Sequence, residues 1–183
     1  WIESTSRQKR NFVCPLCRSS PLALLYASKR KNLVRDYFHC IECDMVSVPK
    51  EFHVSAEEEK SRYETHNNDL QDEGYRNFLS KLWSELEPLL LSGMTGLDYG
   101  SGPGPALAVM MREKGYEIQT YDPYFSPERS VLEKEYDFIS CTESVEHFAD
   151  PFAEFETFQR LIRPGGWIGI MTGMKSNWDG FGE

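Results

Sequence analysis

The stretch Leu97-Asp98-Tyr99-Gly100-Ser101-Gly102-Pro103-Gly104 decides the fold. It follows a short apolar approach, Met94-Thr95-Gly96-Leu97, and precedes a helical pattern that starts near Pro105. This order delivers a strand into a glycine turn and sets a helix N-terminus above it, with glycines that permit positive φ and close backbone approach to a ligand. Asp98 falls at the carboxyl end of the strand, where open α/β sheets bind ligands. Two nucleotide sites are excluded by spacing. A phosphate-binding P-loop needs Lys-Ser/Thr after its last glycine, and Pro105-Ala106 stand there instead. The dinucleotide pattern G-x-G-x-x-G fails because Gly100, Gly102 and Gly104 simply alternate with Ser and Pro.

Downstream, Tyr116-Glu117-Ile118-Gln119-Thr120-Tyr121-Asp122 reads as a second strand ending on an acid. Residues 136–141 read as a buried strand leading into Glu143-Ser144-Val145-Glu146-His147. Asp150-Pro151 opens an amphipathic helix with Phe152, Phe155, Phe158, Leu161 and Ile162 on one face. Arg163-Pro164-Gly165-Gly166 ends that helix, and residues 167–171 form the next strand.

The hydrophobe-Asp-x-Gly-x-Gly-x-Gly pattern resembles the first motif of class I S-adenosylmethionine-dependent methyltransferases. The ordered segments after it look like the later half of small-molecule members such as the quinone O-methyltransferases. The resemblance covers residues 94–173 and implies an α/β, Rossmann-like sheet with S-adenosylmethionine as cofactor. It places Asp98, Gly100, Ser101 and Gly102 at the methionyl and ribose region and Asp122 at the ribose hydroxyls. Thr142 and Glu143 then edge the transfer site. Departures are equally clear. Only 13 residues separate Asp122 from Tyr136, too few for a helix, a third strand and another helix. The family's last helix and two-strand hairpin have no sequence here, so the sheet is expected to be incomplete at its C-terminal side, with residues 167–171 near an edge.

Glu143, Glu146 and His147 stand at i, i+3 and i+4 and share one face if the segment is helical. They resemble the metal ligands of small-RNA 2′-O-methyltransferases and some quinone methyltransferases, which implies Mg²⁺. Those families use a further histidine downstream, and none follows His147. The alternatives are His147 as general base, or as a helix cap that positions Glu143. Cys141 ends a buried strand and reads as a core residue.

Four of the five cysteines form Cys14-x-x-Cys17 and Cys40-x-x-Cys43, with 22 residues between the pairs. Two such knuckles complete a tetrahedral Zn²⁺ site, and four thiolates leave no open position, so the metal is expected to be structural. Short strands between the knuckles make the module a zinc ribbon. Disulfides need a secretory context that is not visible here, and a redox pair would open a helix. Between the ribbon (1–52) and the methyltransferase-like part (93–183), residues 53–92 read as a helical connector or lid. Ser55 and Glu58 form a capping box, and Pro88 predicts a kink or local end in a second helix striped by Tyr75, Phe78, Leu79, Leu82, Trp83, Leu86, Leu89 and Leu90. Tyr63, His66 and Asn67 either line the cofactor or substrate pocket, as lid helices of related methyltransferases do, or end an exposed helix.

The net charge of −9 is uneven: residues 1–50 carry nine Lys/Arg against four Asp/Glu, and residues 51–183 carry eleven against twenty-five. The acidic half is a poor nonspecific nucleic-acid binder, whereas Lys29-Arg30-Lys31 and Arg35 in the ribbon are suited to phosphates. A small-molecule methyl acceptor therefore leads and RNA follows. A non-catalytic ribbon adaptor for nucleic acid or protein is the competing class. No secretory signal and no membrane-spanning run are visible, so a cytoplasmic protein is expected.

Overall fold

A computed structural model describes residues 12–28, 34–64 and 70–173. His66, Asn67 and the basic run at 29–31 lie outside the described residues. The chain forms two compact units. Described residues 12–53 and 149–152 belong to the first, and 54–148 and 153–173 to the second.

The first unit carries a three-stranded antiparallel sheet in the order β1-β2-β3, from Ala23–Ala27 (β1), Asp36–His39 (β2) and Val46–Ser47 (β3). Phe12 packs on Phe38, with ring centroids 5.1 Å apart.

The second unit starts with a helix at Ala56–Glu64 (α1), entered through the expected capping box. Glu58 N–H donates to Ser55 Oγ at 3.2 Å, and Ser55 N–H donates to the Glu58 carboxylate at 3.1 Å. Helix α2 (Glu73–Leu86) is capped by Asp72, which accepts from Tyr75 N–H at 2.9 Å. It stops before Pro88, in a 3₁₀ turn at Glu87–Leu89. The tighter turn breaks the 3.6-residue stripe, so Leu90 is buried while Leu89, expected on the apolar face, is exposed.

Four parallel strands follow in the order β5-β4-β6-β7: β4 Thr95–Tyr99, β5 Glu117–Tyr121, β6 Tyr136–Thr142 and β7 Ile162–Met171. Helices α3 (Ala106–Glu113) and α4 (Pro151–Leu161) complete the βα units. Strand alternation divides the core in two. Ile118 and Phe138 join Leu79, Leu82, Trp83, Leu86, Leu107 and Met111 from α2 and α3. Leu97, Tyr99, Tyr121, Ile139 and Cys141 face Phe158 and Leu161 of α4. Gly96 is required at the first interface, because a Cβ there would lie 2.3 Å from the Phe138 ring.

Three expectations need correction. Residues 163–166 do not simply end the helix. The strand begins at Ile162 and carries Arg163-Pro164-Gly165-Gly166 as a bulge, with Tyr136 opposite Ile162 and Phe138 opposite Trp167. Gly165, at φ 82°, absorbs the excursion. Phe155 is not in the core, because α4 buries only its Phe158 and Leu161 side of the apolar arc, and Phe155 stays on the exposed flank. The segment 143–147 is not one helical face. Glu143 sits at φ 49° and only Val145–His147 form a single 3₁₀ turn. Between Asp122 and Tyr136 the chain makes a 3₁₀ helix at Arg129–Glu133, and among the described residues β5 pairs on one side only.

At the N-terminal ends of the strands, Asp137 fastens three of them. Its carboxylate accepts from Thr95 N–H (2.7 Å), Thr95 Oγ (3.1 Å) and Arg163 Nη1 (2.8 Å), and these donors hold its pKa below the usual carboxylate range. Trp167, Ile168 and Ile170 of β7 are partly exposed. No described helix is long and apolar enough to cross a membrane.

Candidate functional site

The site lies at the carboxyl ends of β4, β5 and β6, where the chain leaves each strand in a turn rather than a regular loop. After β4, Gly100 (φ 73°) and Gly102 (φ 64°) adopt left-handed backbone, and Gly100 N–H donates to Tyr121 O at 2.8 Å. The turn is closed from below by Ser144, whose Oγ donates to Gly100 O or Thr142 O, each 3.1 Å away. A Cβ on Gly100 would sit 2.3 Å from that hydroxyl. Ser101 Oγ is buried and, among the described residues, has no hydrogen-bond partner.

Asp98 is 2 % exposed, beneath the turn. Ser140 Oγ donates to its Oδ1 at 2.8 Å. Burial pushes its carboxyl up to about 6, against the opposing pull of the Ser140 hydrogen bond. Asp98 thus ties the end of β4 to Ser140 of β6 inside the core.

Asp122 ends β5 and is nearly as buried. Its Oδ2 accepts from Gly102 N–H at 3.0 Å, which joins the second strand to the glycine turn. Its Oδ1 accepts from Tyr124 N–H (2.8 Å) and Phe125 N–H (3.0 Å), fixing the turn that follows.

Thr142, the last residue of β6, is half-buried and Glu143 just past it is exposed, with Glu143 N–H donating to Met171 O at 2.7 Å. Burial raises the Glu143 carboxyl, Glu146 raises it further, and His147 opposes both. Helix α1 delivers Tyr63 to this side. Its ring meets the His147 ring edge-on, with centroids 5.6 Å apart. Burial, then the charges of Glu59, Glu146 and Asp122, hold the Tyr63 hydroxyl protonated well above the ordinary tyrosine range. Cys141 is fully buried and its thiol pushed up by burial, as suits a core residue.

The structure therefore brings together Asp98, Gly100, Ser101, Gly102 and Asp122, and sets Tyr63 against His147. It does not bring Glu143, Glu146 and His147 together as ligands. The helical face that was to align them is absent. Among the described residues, the cysteine quartet is the one group of three or more Cys, His, Asp or Glu whose ligand atoms lie within 4.8 Å of one another. Sequence reasoning missed Ser140, Ser144, Tyr124 and Glu59. The two serines were legible as small polar residues within four positions of Thr142 on the strand and its exit. Glu59, one of three consecutive glutamates at 57–59, carried no such signal.

Residues 71–179 match the methyltransferase-domain family. The chain belongs to that family. Among curated proteins it is similar to the ubiquinone biosynthesis O-methyltransferase of Aeromonas salmonicida, 32% identical over 79 residues, covering 43% of this chain and 33% of that protein. The enzyme of the same name from Pseudomonas putida (strain W619) is 27% identical over 89 residues, covering 49% of this chain and 38% of that protein. The chain spans about a third of the length of the curated relatives it matches.

Ahead of the methyltransferase domain, the first unit carries the cysteine centre, and its two knuckles repeat one backbone design. Cys14 N–H donates to Ser19 O (2.8 Å) and Arg18 N–H returns to Cys14 O (3.0 Å). Cys40 N–H donates to Met45 O (2.9 Å) and Asp44 N–H returns to Cys40 O (2.9 Å). The residue after each second cysteine is left-handed, Arg18 at φ 61° and Asp44 at φ 59°. Neither is glycine, so the C-x-x-C pattern marked the knuckles but not this left-handed backbone. Cys14 Sγ lies 3.7 Å from Cys43 Sγ, and Cys17 Sγ lies 3.6 Å from Cys40 Sγ. Ser19 Oγ stands 2.9 Å from Cys17 Sγ and 3.3 Å from Cys40 Sγ, and is the main cause that lowers both thiol pKa values, Cys40 to about 6.

Proposed function

We propose that the chain carries an S-adenosylmethionine-dependent methyl transfer to a small molecule with a hydroxyl acceptor. The observation that carries this reading is the glycine turn. Among the described residues, Ser101 Oγ is buried with no partner inside a turn where a Cβ on Gly100 would lie 2.3 Å from Ser144 Oγ, and Asp122 is tied to the same turn through Gly102 N–H. A desolvated hydroxyl without a partner costs free energy, which a bound ligand's polar group recovers. The site therefore fits the amino-acid and ribose parts of the cofactor, with Asp122 keeping acceptor capacity for the ribose hydroxyls beyond its three backbone donors. Tyr63 edges the same space from α1.

When bound, S-adenosylmethionine supplies a sulfonium methyl for in-line displacement: the acceptor oxygen gains the C–O bond as the S–C bond breaks. The protein aligns the two partners and removes the acceptor's proton. His147 is the base in this reading, and its half-exposed ring stands beside Tyr63. Thr142 and Glu143 form the rim. A Mg²⁺ held by Glu143, Glu146 and His147 would require these three to converge, which they do not do here, so the proposal contains no such step.

The cysteine centre is proposed to hold Zn²⁺. Tetrahedral sites with Zn–S of about 2.3 Å place sulfurs about 3.8 Å apart. The distances of 3.7 and 3.6 Å support that ion. With four sulfurs as ligands its part is structural.

A hydroxylated quinone-type acceptor is favoured by the likeness to ubiquinone biosynthesis O-methyltransferases. The test is incubation with tritium-labelled S-adenosylmethionine and a panel of catechols and hydroquinones, beside a total-RNA arm. Label in phenolic ether products supports the reading. Label in RNA alone, lost steeply as salt rises, overturns it in favour of an RNA acceptor.

A further inference from the structure

Helix α1 has no buried residue, yet one of its side chains reaches two turns of the site at once. Tyr124 OH donates to Glu59 Oε2 at 2.8 Å, and Glu59 Oε1 lies 3.8 Å from His147 Nδ1. Tyr124 belongs to the turn that Asp122 organises, and His147 to the turn after β6. The Glu59 side chain is only 21% exposed. Among the described residues, the groups around this junction are Glu57 and Tyr63 of α1, Asp122 and Tyr124 of the turn after β5, and Glu143 and Glu146 beside His147.

We infer that Glu59 is a positioning residue that braces His147 against the Asp122–Tyr124 turn, turning Nδ1 toward its own carboxylate and leaving Nε2 free to face the acceptor. The inference rests on the methyl-transfer reading for its purpose, though not for its geometry. The neutral imidazole carries one N–H, and the nitrogen facing a carboxylate is favoured as the donor. A carboxylate that already accepts a tyrosine hydroxyl cannot swing freely, so Tyr124 steadies the partner of His147 without itself serving as that partner. Because Tyr124 N–H also donates to Asp122, ligand binding at Asp122 is transmitted to His147 through Glu59.

The test is long-range ¹H–¹⁵N correlation of the His147 ring, recorded where the two ring-nitrogen shifts show the imidazole neutral. It uses the full chain as wild type, Glu59→Gln, Tyr124→Phe and the double variant. Wild type is expected to show predominantly the Nδ1–H form, and Glu59→Gln to shift the population at least twofold toward Nε2–H. Tyr124→Phe should move the same signals in wild type but not in the Glu59→Gln background. Adding S-adenosylhomocysteine should shift the wild-type ring signals at least twice as far as those of Glu59→Gln. A wild-type ring already in the Nε2–H form, or a Tyr124→Phe effect of equal size in both backgrounds, overturns the inference. Failure of S-adenosylhomocysteine to bind wild type would instead count against the cofactor reading, because the first two comparisons are made without ligand.

Discussion

Replacing Gly100 by alanine tests the glycine turn most sharply, because two separable costs meet at that residue. The first is backbone: φ is 73°, and an L-residue held in left-handed conformation loses roughly 1–2 kcal/mol. The second is steric. The new Cβ would sit 2.3 Å from Ser144 Oγ and 2.7 Å from Ser144 Cβ. Ser144 must therefore withdraw the hydroxyl that lies 3.1 Å from both Gly100 O and Thr142 O, at about 1 kcal/mol or more for the hydrogen bond lost. The sum is about 2–4 kcal/mol. Gly115→Ala isolates the first cost, since its φ is also positive, at 90°, and nothing lies within 4 Å of its added Cβ. Urea unfolding followed by tryptophan fluorescence and circular dichroism should place Gly115→Ala about 1–2 kcal/mol below wild type and Gly100→Ala lower still. Ser144→Gly clears the space, so the Gly100→Ala/Ser144→Gly pair should be more stable than the sum of the single losses allows. Equal costs at Gly100 and Gly115, or strict additivity with Ser144→Gly, would refute the reasoning.

Other outcomes follow from named contacts. Asp98, raised to about 6 by burial, contributes stability that is fully present below its unfolded value near 4 and is lost as pH rises through 6; the loss is on the order of 3 kcal/mol. Asp98→Asn should remove that decline, seen as a smaller drop in unfolding free energy between about pH 4 and pH 7 than in wild type. Asp137 behaves oppositely: its lowered pKa gives stability present above the unfolded value and lost as pH falls through the folded one. Asp137→Ala should cost about 2 kcal/mol at neutral pH by orphaning Thr95 N–H, with a flatter acid limb in pH-dependent melts. Purified protein should release one Zn²⁺ per chain on thiol modification in a colorimetric assay, and Cys14→Ser or Cys40→Ser should reduce that release at least several-fold.

Much of this molecule was legible because its signals are local. The glycine turn, the Ser55–Glu58 capping box and the two C-x-x-C knuckles are each fixed by a few adjacent residues, and each stands where the pattern put it. The apolar stripe of α2 was also readable, up to the point where Pro88 forced a 3₁₀ turn and moved Leu89 outward. What escaped was set by tertiary geometry. The strand β7 starts before its glycines because Tyr136 pairs with Ile162, a partnership no local window contains. The Glu143–His147 spacing is helical, but Glu143 leaves the strand at positive φ, and the side chains part company. Asp98, expected at the methionyl and ribose region, is 2% exposed and accepts from Ser140 on the neighbouring strand, a pairing that no local window contains. Glu59 gave no signal at all, since its partners are 65 and 88 positions away.

The central claim is that the turn from Gly100 to Gly102, with Asp122 behind it, holds the methyl donor. Calorimetric titration of the wild-type chain with S-adenosylhomocysteine tests it most directly, with Gly100→Ala beside it under the same conditions. Wild type is expected to show saturable one-to-one binding, weakened at least tenfold in Gly100→Ala. No heat of binding in wild type, or equal affinity in both proteins, would contradict it.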